Sequence, residues 1–272
     1  MLERAAARGA DAVILDLEDG VAEGDRPAVR DRLPGAIAHL HGEGASVLVR
    51  VNSGLLALYR DLAACVRPGL RAVVLSKAER PERVAMVAEL LADLEAEAGL
   101  PLGETDLIPL IETAAGLLAA PALAVASHRV TALAFGGEDL ALDLGGEPSP
   151  ALLTEPARQL VWAARAGGRA ALGLPGSIGN ISDPDRLRAE LDTAARLGCV
   201  GALCVHPAQI DACHAAFAVS AREVEQARRI IEGFERAGTA VCVVDGQMVD
   251  RPVVSRARTT LARWRRQSGD SG

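Results

Sequence analysis

Aromatic side chains are scarce. Three Phe, two Trp and one Tyr make up 2% of the 272 residues. Stacking on bases or sugar rings needs several such platforms, so that mode of recognition is disfavoured. An excess of positive charge is also lacking: 29 Lys and Arg face 36 Asp and Glu, a net charge of −7. Nucleic-acid binding draws on a basic surface, so no nucleic-acid partner is expected. The apolar runs are too short to span a bilayer, and no membrane partner is expected. No basic segment followed by an apolar one opens the chain, so no secretory signal is read. The five cysteines, Cys65, Cys199, Cys204, Cys213 and Cys242, are odd in number and show no CxxC spacing. Free thiols in a reducing cytoplasm are the expectation.

What the chain does have is hydrophobic content, 50% of its residues. Strand-like runs rich in Val, Ile, Leu and Ala recur at 11–18, 46–52, 71–77, 107–113, 130–136, 169–174 and 201–207. Near-continuous apolar runs suit strands covered on both faces, as in parallel sheets. Helical patterns separate them. Pro81 opens one whose apolar stripe is Val84, Val87, Leu91, Leu94 and Ala98, and Gly99 closes it. Asp183 followed by Pro184 starts another, which Gly198 ends. Ser220 and Glu223 form a capping box for a third, running to about Gly238.

Alternating strands and helices predict an α/β fold with a parallel sheet. The expected architecture is a (β/α)₈ TIM barrel over residues 1–215, followed by a helical lid over 216–272. Seven strands are one short of that barrel. The opening "MLERAAARGAD" reads as a helix ending at Gly9, so the barrel is expected to lack its first β-strand. An open doubly wound sheet is the competing reading, but no GxGxxG follows the first strand. The basic stretch "RARTTLARWRRQ" (256–267) reads as a solvated helix face, with an anionic contact as the alternative.

The strand ends are polar. Asp16, Glu18 and Asp19 end the first run, Arg50 and Asn52 the second, Lys77 and Glu79 the third. Glu112 ends the fourth, Glu138 and Asp139 the fifth, and His206 the last. Any one of these reads equally well as a solvated loop charge, and His206 as a packed imidazole. Their succession at one end of consecutive strands points to a shared site, because barrel chemistry sits at the C-terminal strand ends. Carboxylates without a Cys or multi-His cluster suit a hard cation such as Mg²⁺, which takes one or two carboxylates and keeps waters and substrate oxygens. Arg50 offers a planar fork for a substrate carboxylate. Lys77 and His206 are further candidate substrate contacts. The loop "GLPGSIG" (173–179) reads either as a phosphate cradle or as a flexible turn. In "GGEDLALDLGG" (136–146), Asp143 is expected to open the next helix and serve as a cap.

The segments "GADAVILDLEDGV", "VRVN", "LSKAE", "IPLIETAAGL", "LAFGGEDLALDLG", "GALCVHPAQI" and "VDGQMVDRPVV" occur in that order. Together they resemble the citrate lyase beta subunit-like CoA-ester lyases of the HpcH/HpaI aldolase superfamily, over residues 2–262. The resemblance implies a lyase that splits or forms a β-hydroxyacyl-CoA of the malyl-CoA or citramalyl-CoA type, giving acetyl-CoA and glyoxylate or pyruvate. It implies Mg²⁺ held by Glu112 and Asp139, and Arg50 facing the carboxylate of the 2-oxo acid. Asp16, Glu18 and Asp19 are then expected near the metal and its waters, with Glu138 orienting the loop or a water. It further implies that Asp250, in "MVD", acts as a proton donor from a lid reaching a neighbouring subunit of a homotrimer or hexamer. Relatives open with a strand of the "LFVPG" type that this sequence does not show. A malyl-CoA-type thioesterase, and a non-catalytic or citrate-lyase-complex subunit, are the alternatives.

Overall fold

The computed structural model describes residues 4–268. Two compact units divide the chain, one ending at Ala216 and one starting at Phe217.

In the first unit six strands form one parallel sheet: β1 (Val13–Asp16), β2 (Val47–Val51), β3 (Leu70–Leu75), β4 (Asp106–Ile111), β5 (Ala132–Phe135) and β6 (Ala170–Leu172). Their order in space is their order in the chain. A doubly wound sheet would reverse direction at a switch point, and this one does not. The winding is that of a TIM barrel.

Helices cross back between the strands: α1 (Arg26–Gly42), α2 (Leu55–Cys65), α3 (Pro81–Glu97), α4 (Ala114–Val125), α5 (Gly137–Asp143), α6 (Pro150–Ala166), α7 (Pro184–Leu197) and α8 (Ile210–Phe217). The punctuation read from the sequence operates as stated. The Asp183 carboxylate accepts the Arg186 N–H at 3.0 Å, and Gly198 ends α7 at φ +111°. Val84, Val87, Leu91 and Leu94 are the buried stripe of α3.

Two corrections concern the ends of this unit. The expected seventh strand, 201–207, is reduced to a single parallel bridge between Leu172 and Gly201. The Val205 and His206 N–H groups donate instead to Gln209 Oε1, both at 3.0 Å, so a local turn takes the donors a ladder would need. The expected opening helix is, in its described part, one 3₁₀ turn over Ala6–Arg8 closed by Gly9 at φ +80°. Met1, Leu2 and Glu3, which that reading includes, lie outside the described residues.

Side chains alternate across each strand. One face carries Ala72 and Val74, Ile108 and Leu110, and Ala132 and Ala134, packed with Ile14, Leu48, Ala170, Leu172 and Leu203. The other carries Val47, Val49 and Val51, Val73 and Leu75, Leu107 and Ile111, and Leu133, all essentially inaccessible. Continuing the first series by two residues toward the C-terminal strand ends gives Asp16, Arg50, Ser76, Glu112 and Gly136. The period of two that builds the core face therefore delivers polar groups to one end of it.

At the opposite end sits a different polar group. Glu95 of α3 grips Arg129 with both oxygens, at 2.8 and 2.7 Å, and also accepts the N–H groups of Gly103 and Thr105. Both side chains are buried. This pair ties the end of α3 to the approaches of β4 and β5.

The second unit contains α9 (Ala221–Ala237), the antiparallel hairpin β7 (Cys242–Val244) and β8 (Gln247–Val249), and α10 (Arg251–Ser268). The Ser220/Glu223 capping box opens α9. The hairpin, absent from the sequence reading, turns on Asp245 and Gly246, both at positive φ, +51° and +77°. Val224 and Ala227 of α9 and Val254 and Ala257 of α10 are buried, and the Arg228 guanidinium lies 5.3 Å from the Trp264 ring centre. The basic 256–267 stretch is on α10, where Arg258 pairs with Glu235 at 3.2 Å.

Candidate active site at the strand ends

Glu112 is a deeply buried carboxylate at the polar end, 1% exposed. It follows β4 directly. Its Oε1 accepts the Lys77 backbone N–H at 2.7 Å. To present that N–H, Lys77 adopts φ +47°, one of two non-glycine residues in the left-handed region among the described residues. Strained backbone of this kind persists where surrounding contacts hold it, and it clusters at functional sites. Glu112 Oε2 takes no hydrogen bond from the described residues. Burial pushes the Glu112 carboxyl up to about 8, and the charges of Asp139 and Glu18 act in the same direction. The Lys77 N–H and the Arg50 charge oppose them.

Gly136 lies against this carboxylate. A Cβ there would come within 2.6 Å of Glu112 Cβ and 2.8 Å of Oε2, so only glycine fits. Gly136 leads into α5, whose first turn carries Glu138 and Asp139. The half-buried Asp139 carboxylate has neither an ion pair nor a hydrogen bond among the described residues. Its charge raises the Glu112 carboxyl. Glu138 points elsewhere: Oε1 accepts the Ser177 hydroxyl and the Gly179 N–H, holding the 173–179 loop. Asp143 is the last residue of α5, not the first turn of a following helix. Its Oδ2 caps α4, accepting the Ala114 N–H at 2.7 Å.

A second cluster joins β1, β2 and β3. Arg50 donates to Asp16 through Nε at 2.7 Å and Nη2 at 2.6 Å, and its Nη1 lies 3.2 Å from Glu18 Oε2. Burial alone would raise the Asp16 carboxyl, but the Arg50 fork and the N–H groups of Glu18 and Gly20 hold it below the ordinary range. Lys77 Nζ reaches Glu18 Oε1 at 2.7 Å and lies 3.7 Å from the more exposed Asp19. The Glu18 hydrogen bond keeps the Lys77 ammonium charged above its usual range. Cations and anions alternate here and neutralise one another. Among the described residues Glu112 and Asp139 form no ion pair, although the Arg50 charge acts on Glu112.

The remaining strand-end residues do other work. Asn52 is buried and structural: its Nδ2 donates to Leu17 O and to Asp61, and its N–H to the same Asp61 oxygen. Asp61, itself inaccessible, is closed by Arg30 at 2.6 Å. The exposed His206 ring caps the turn that follows it, its Nδ1 accepting the Ala208 N–H at 3.2 Å. The 173–179 loop is poor for phosphate. Glu138 already accepts one of its N–H groups, and the buried Glu190 carboxylate abuts Gly176. Asp250 belongs to the second unit, where it caps α10 by accepting the Val253 N–H at 3.2 Å.

Beside Lys77 lies a cleft of about 250 Å³ lined by Ser53, Ser76, Lys77, Glu79, Arg80 and Arg83 among others. Arg80 and Arg83 escaped the sequence reading. Their signal was the pair of basic residues flanking the Pro81 helix start. Among the described residues no three His, Cys, Asp or Glu side chains form a ready-made metal cage. Two oxygen donors outside any ion pair among the described residues suit a hard ion that completes its shell with water and ligand oxygens, and Mg²⁺ binds in that way.

Comparison with known proteins identifies the family. The family HpcH/HpaI aldolase/citrate lyase matches residues 1–207, and the family C-C bond lyase of the TIM-barrel fold matches residues 155–265. The citrate lyase subunit beta-like protein of Mycobacterium tuberculosis is 35% identical over 266 residues, covering 95% of this chain and 89% of the relative. The (3S)-malyl-CoA thioesterase of Cereibacter sphaeroides is 35% identical over 268 residues, covering 96% and 89%. The crystal structure of CitE from Mycobacterium tuberculosis in complex with magnesium, acetoacetate and coenzyme A superposes with a TM-score of 0.75. It is 33% identical, with 97% of this chain and 94% of that one covered. A parallel sheet wound in chain order and the match of the family over most of the chain agree, and the chain belongs to the HpcH/HpaI aldolase/citrate lyase family of TIM-barrel carbon–carbon lyases.

Proposed function

We propose that this protein is a Mg²⁺-dependent CoA-ester lyase that cleaves or forms a β-hydroxyacyl-CoA, with acetyl-CoA and a 2-oxo acid as the other side of the reaction. The observation that carries the reading is the Glu112–Asp139 pair, one carboxylate at the end of β4 and one in the first turn of α5, neither in an ion pair among the described residues. These two residues would hold the metal, which when bound would supply positive charge to stabilise oxyanion and enolate character. The relative crystallised with magnesium, acetoacetate and coenzyme A supports the choice of ion and ligand class.

The chain's own residues divide the remaining tasks. Arg50 has N–H groups beyond those that meet Asp16 and Glu18, and these would receive the carboxylate of glyoxylate or pyruvate. Asp16 fixes the plane of that guanidinium, so the fork is oriented before the ligand arrives. Lys77 keeps Glu112 in place through its backbone and contributes an ammonium near Glu18. The cleft between Ser53 and Arg83 would take the anionic part of the CoA carrier, with Arg80 and Arg83 as its charges. Asp250 would protonate the thioester enolate as general acid, delivered by the lid of a neighbouring subunit in a trimer or hexamer.

The similarity to a (3S)-malyl-CoA thioesterase favours hydrolysis at the same site as the second reading. Product identification separates the two. Purified protein incubated with malyl-, citramalyl- and citryl-CoA should release acetyl-CoA and a 2-oxo acid, and chelator should abolish the release. Free malate with no glyoxylate would replace the lyase reading with the thioesterase one. Absence of both products with all three esters would leave the non-catalytic subunit.

A further inference from the structure

We propose that Cys204 and Cys213 form a reversible disulfide, a modification site separate from the catalytic groups and independent of the function proposed above. The two sulfurs are 3.3 Å apart. A disulfide needs about 2.05 Å, so a closing movement of little more than about 1 Å makes the bond. The spacing in sequence is nine residues, and the intervening turn at Pro207–Gln209 folds the segment back on itself. Cys204 is exposed and accessible to a reagent, whereas Cys213, on α8, is buried directly behind it.

The chemistry favours attack by the exposed sulfur. The contact between the two sulfurs lowers the Cys204 thiol and raises that of Cys213, in line with the greater exposure of Cys204. The thiolate is the reactive form, so Cys204 is the nucleophile and Cys213 the resolving group. The other thiols differ. Cys65 is fully buried and burial holds its proton on, and burial pushes the Cys199 thiol up to about 11.

A small-molecule disulfide supplies the oxidant. The Cys204 thiolate attacks one of its sulfurs, forming a mixed disulfide and expelling one external thiolate. Cys213 then loses its proton and attacks the Cys204 sulfur, closing the internal bond and expelling the second external thiolate. Two protein thiols are oxidised, and one external disulfide is reduced to two thiols. A dithiol reductant reverses both steps.

The bond would fasten a segment that is otherwise held by Gln209. Its Oε1 receives the Val205 and His206 N–H groups, and its Nε2 donates to Ile178 O at 2.7 Å. Oxidation would therefore stiffen the connection between α8 and the 173–179 loop.

The test incubates the full chain with oxidised glutathione, then counts thiols in denaturant and maps peptides by mass spectrometry. The wild type should fall from five thiols to three, with one cross-link joining Cys204 to Cys213, and dithiothreitol should restore all five. Cys213→Ser should stop at a stable glutathione adduct on Cys204. Cys204→Ser, a change at an exposed position, should keep its four remaining thiols (five minus one). Retention of five thiols by the wild type, a wild-type adduct that never resolves, or a cross-link between other cysteines would each overturn the proposal.

Discussion

Arg50 meets Asp16 through two parallel hydrogen bonds, Nε to Oδ1 at 2.7 Å and Nη2 to Oδ2 at 2.6 Å, between neighbouring parallel strands. The register pairs the same two residues, so the fork is a direct product of the sheet. Asp16→Asn should leave one hydrogen bond from the guanidinium to a neutral amide oxygen in place of two to a carboxylate. Kinetics with the 2-oxo acid should show a drop of about 100-fold in kcat/KM, the size expected when an oriented group is loosened. Arg50→Lys should be at least as severe, since a point charge cannot reproduce the fork. Near-wild-type kcat/KM in both variants would remove Arg50 from the site.

Glu112→Gln and Asp139→Asn should each weaken Mg²⁺ binding, read directly by calorimetric titration of the protein without substrate. The neutral amide keeps shape but loses the charge a hard ion needs. Glu112→Gln should not unfold the chain, because the amide matches in shape a carboxyl that burial already favours in its neutral form. Unchanged Mg²⁺ affinity in both variants would place the ion elsewhere.

Gly136→Ala should damage the site sterically without touching a donor atom. The new methyl group would press on Glu112 Cβ and Oε2, at 2.6 and 2.8 Å before relaxation. Overpacking of this kind costs about 1–3 kcal/mol. Thermal unfolding should report that loss, and Mg²⁺ titration should show a weaker site. A variant equal to wild type in both would show that Glu112 has room to move.

Glu95 makes an acid-sensitive lock at the far end of the barrel. Burial would raise its carboxyl, yet Arg129 and the N–H groups of Gly103 and Thr105 hold it down at about 2, below the usual 4.5. A lowered carboxylate stabilises the folded state above its unfolded pKa. That contribution is complete above about pH 4.5 and is lost as pH falls toward 2. Glu95→Gln should flatten this part of the stability–pH curve. At neutral pH it should cost about 3–5 kcal/mol, because Arg129 stays buried without its counter-ion. Denaturant unfolding at pH 7 and pH 3 checks both statements.

Much of this arrangement is legible in the sequence because it follows from period. Strand alternation alone places Asp16, Arg50 and Glu112 on the core face beyond the apolar residues. Helix starts such as Asp183 and Ser220 announce themselves by local chemistry, and the structure uses them in that way. What the chain conceals is partnership across distance. Nothing near Asn52 says that Asp61, rather than a ligand, takes its side chain. Gln209 gives no sign that it will draw the 205–206 N–H groups out of a strand. The Asp245–Gly246 pair is a hairpin signal, but the three-residue strands on either side of it are too short to show a period of their own. Glu138 and Asp139 are adjacent in sequence, yet one turns to a loop and the other faces Glu112, because successive positions in a helix turn point about 100° apart.

The Asp143–Ala114 hydrogen bond has a mechanical consequence. Ala114 follows Glu112 by two residues, and Asp143 follows Asp139 by four. The 2.7 Å bond therefore ties the segment that carries Glu112 to the helix that carries Asp139. Breaking it would free the two carboxylates to separate while leaving each chemically intact. On the proposed reading of this pair as metal ligands, Asp143→Ala, at an exposed position, should alter the preference among divalent ions of different radius.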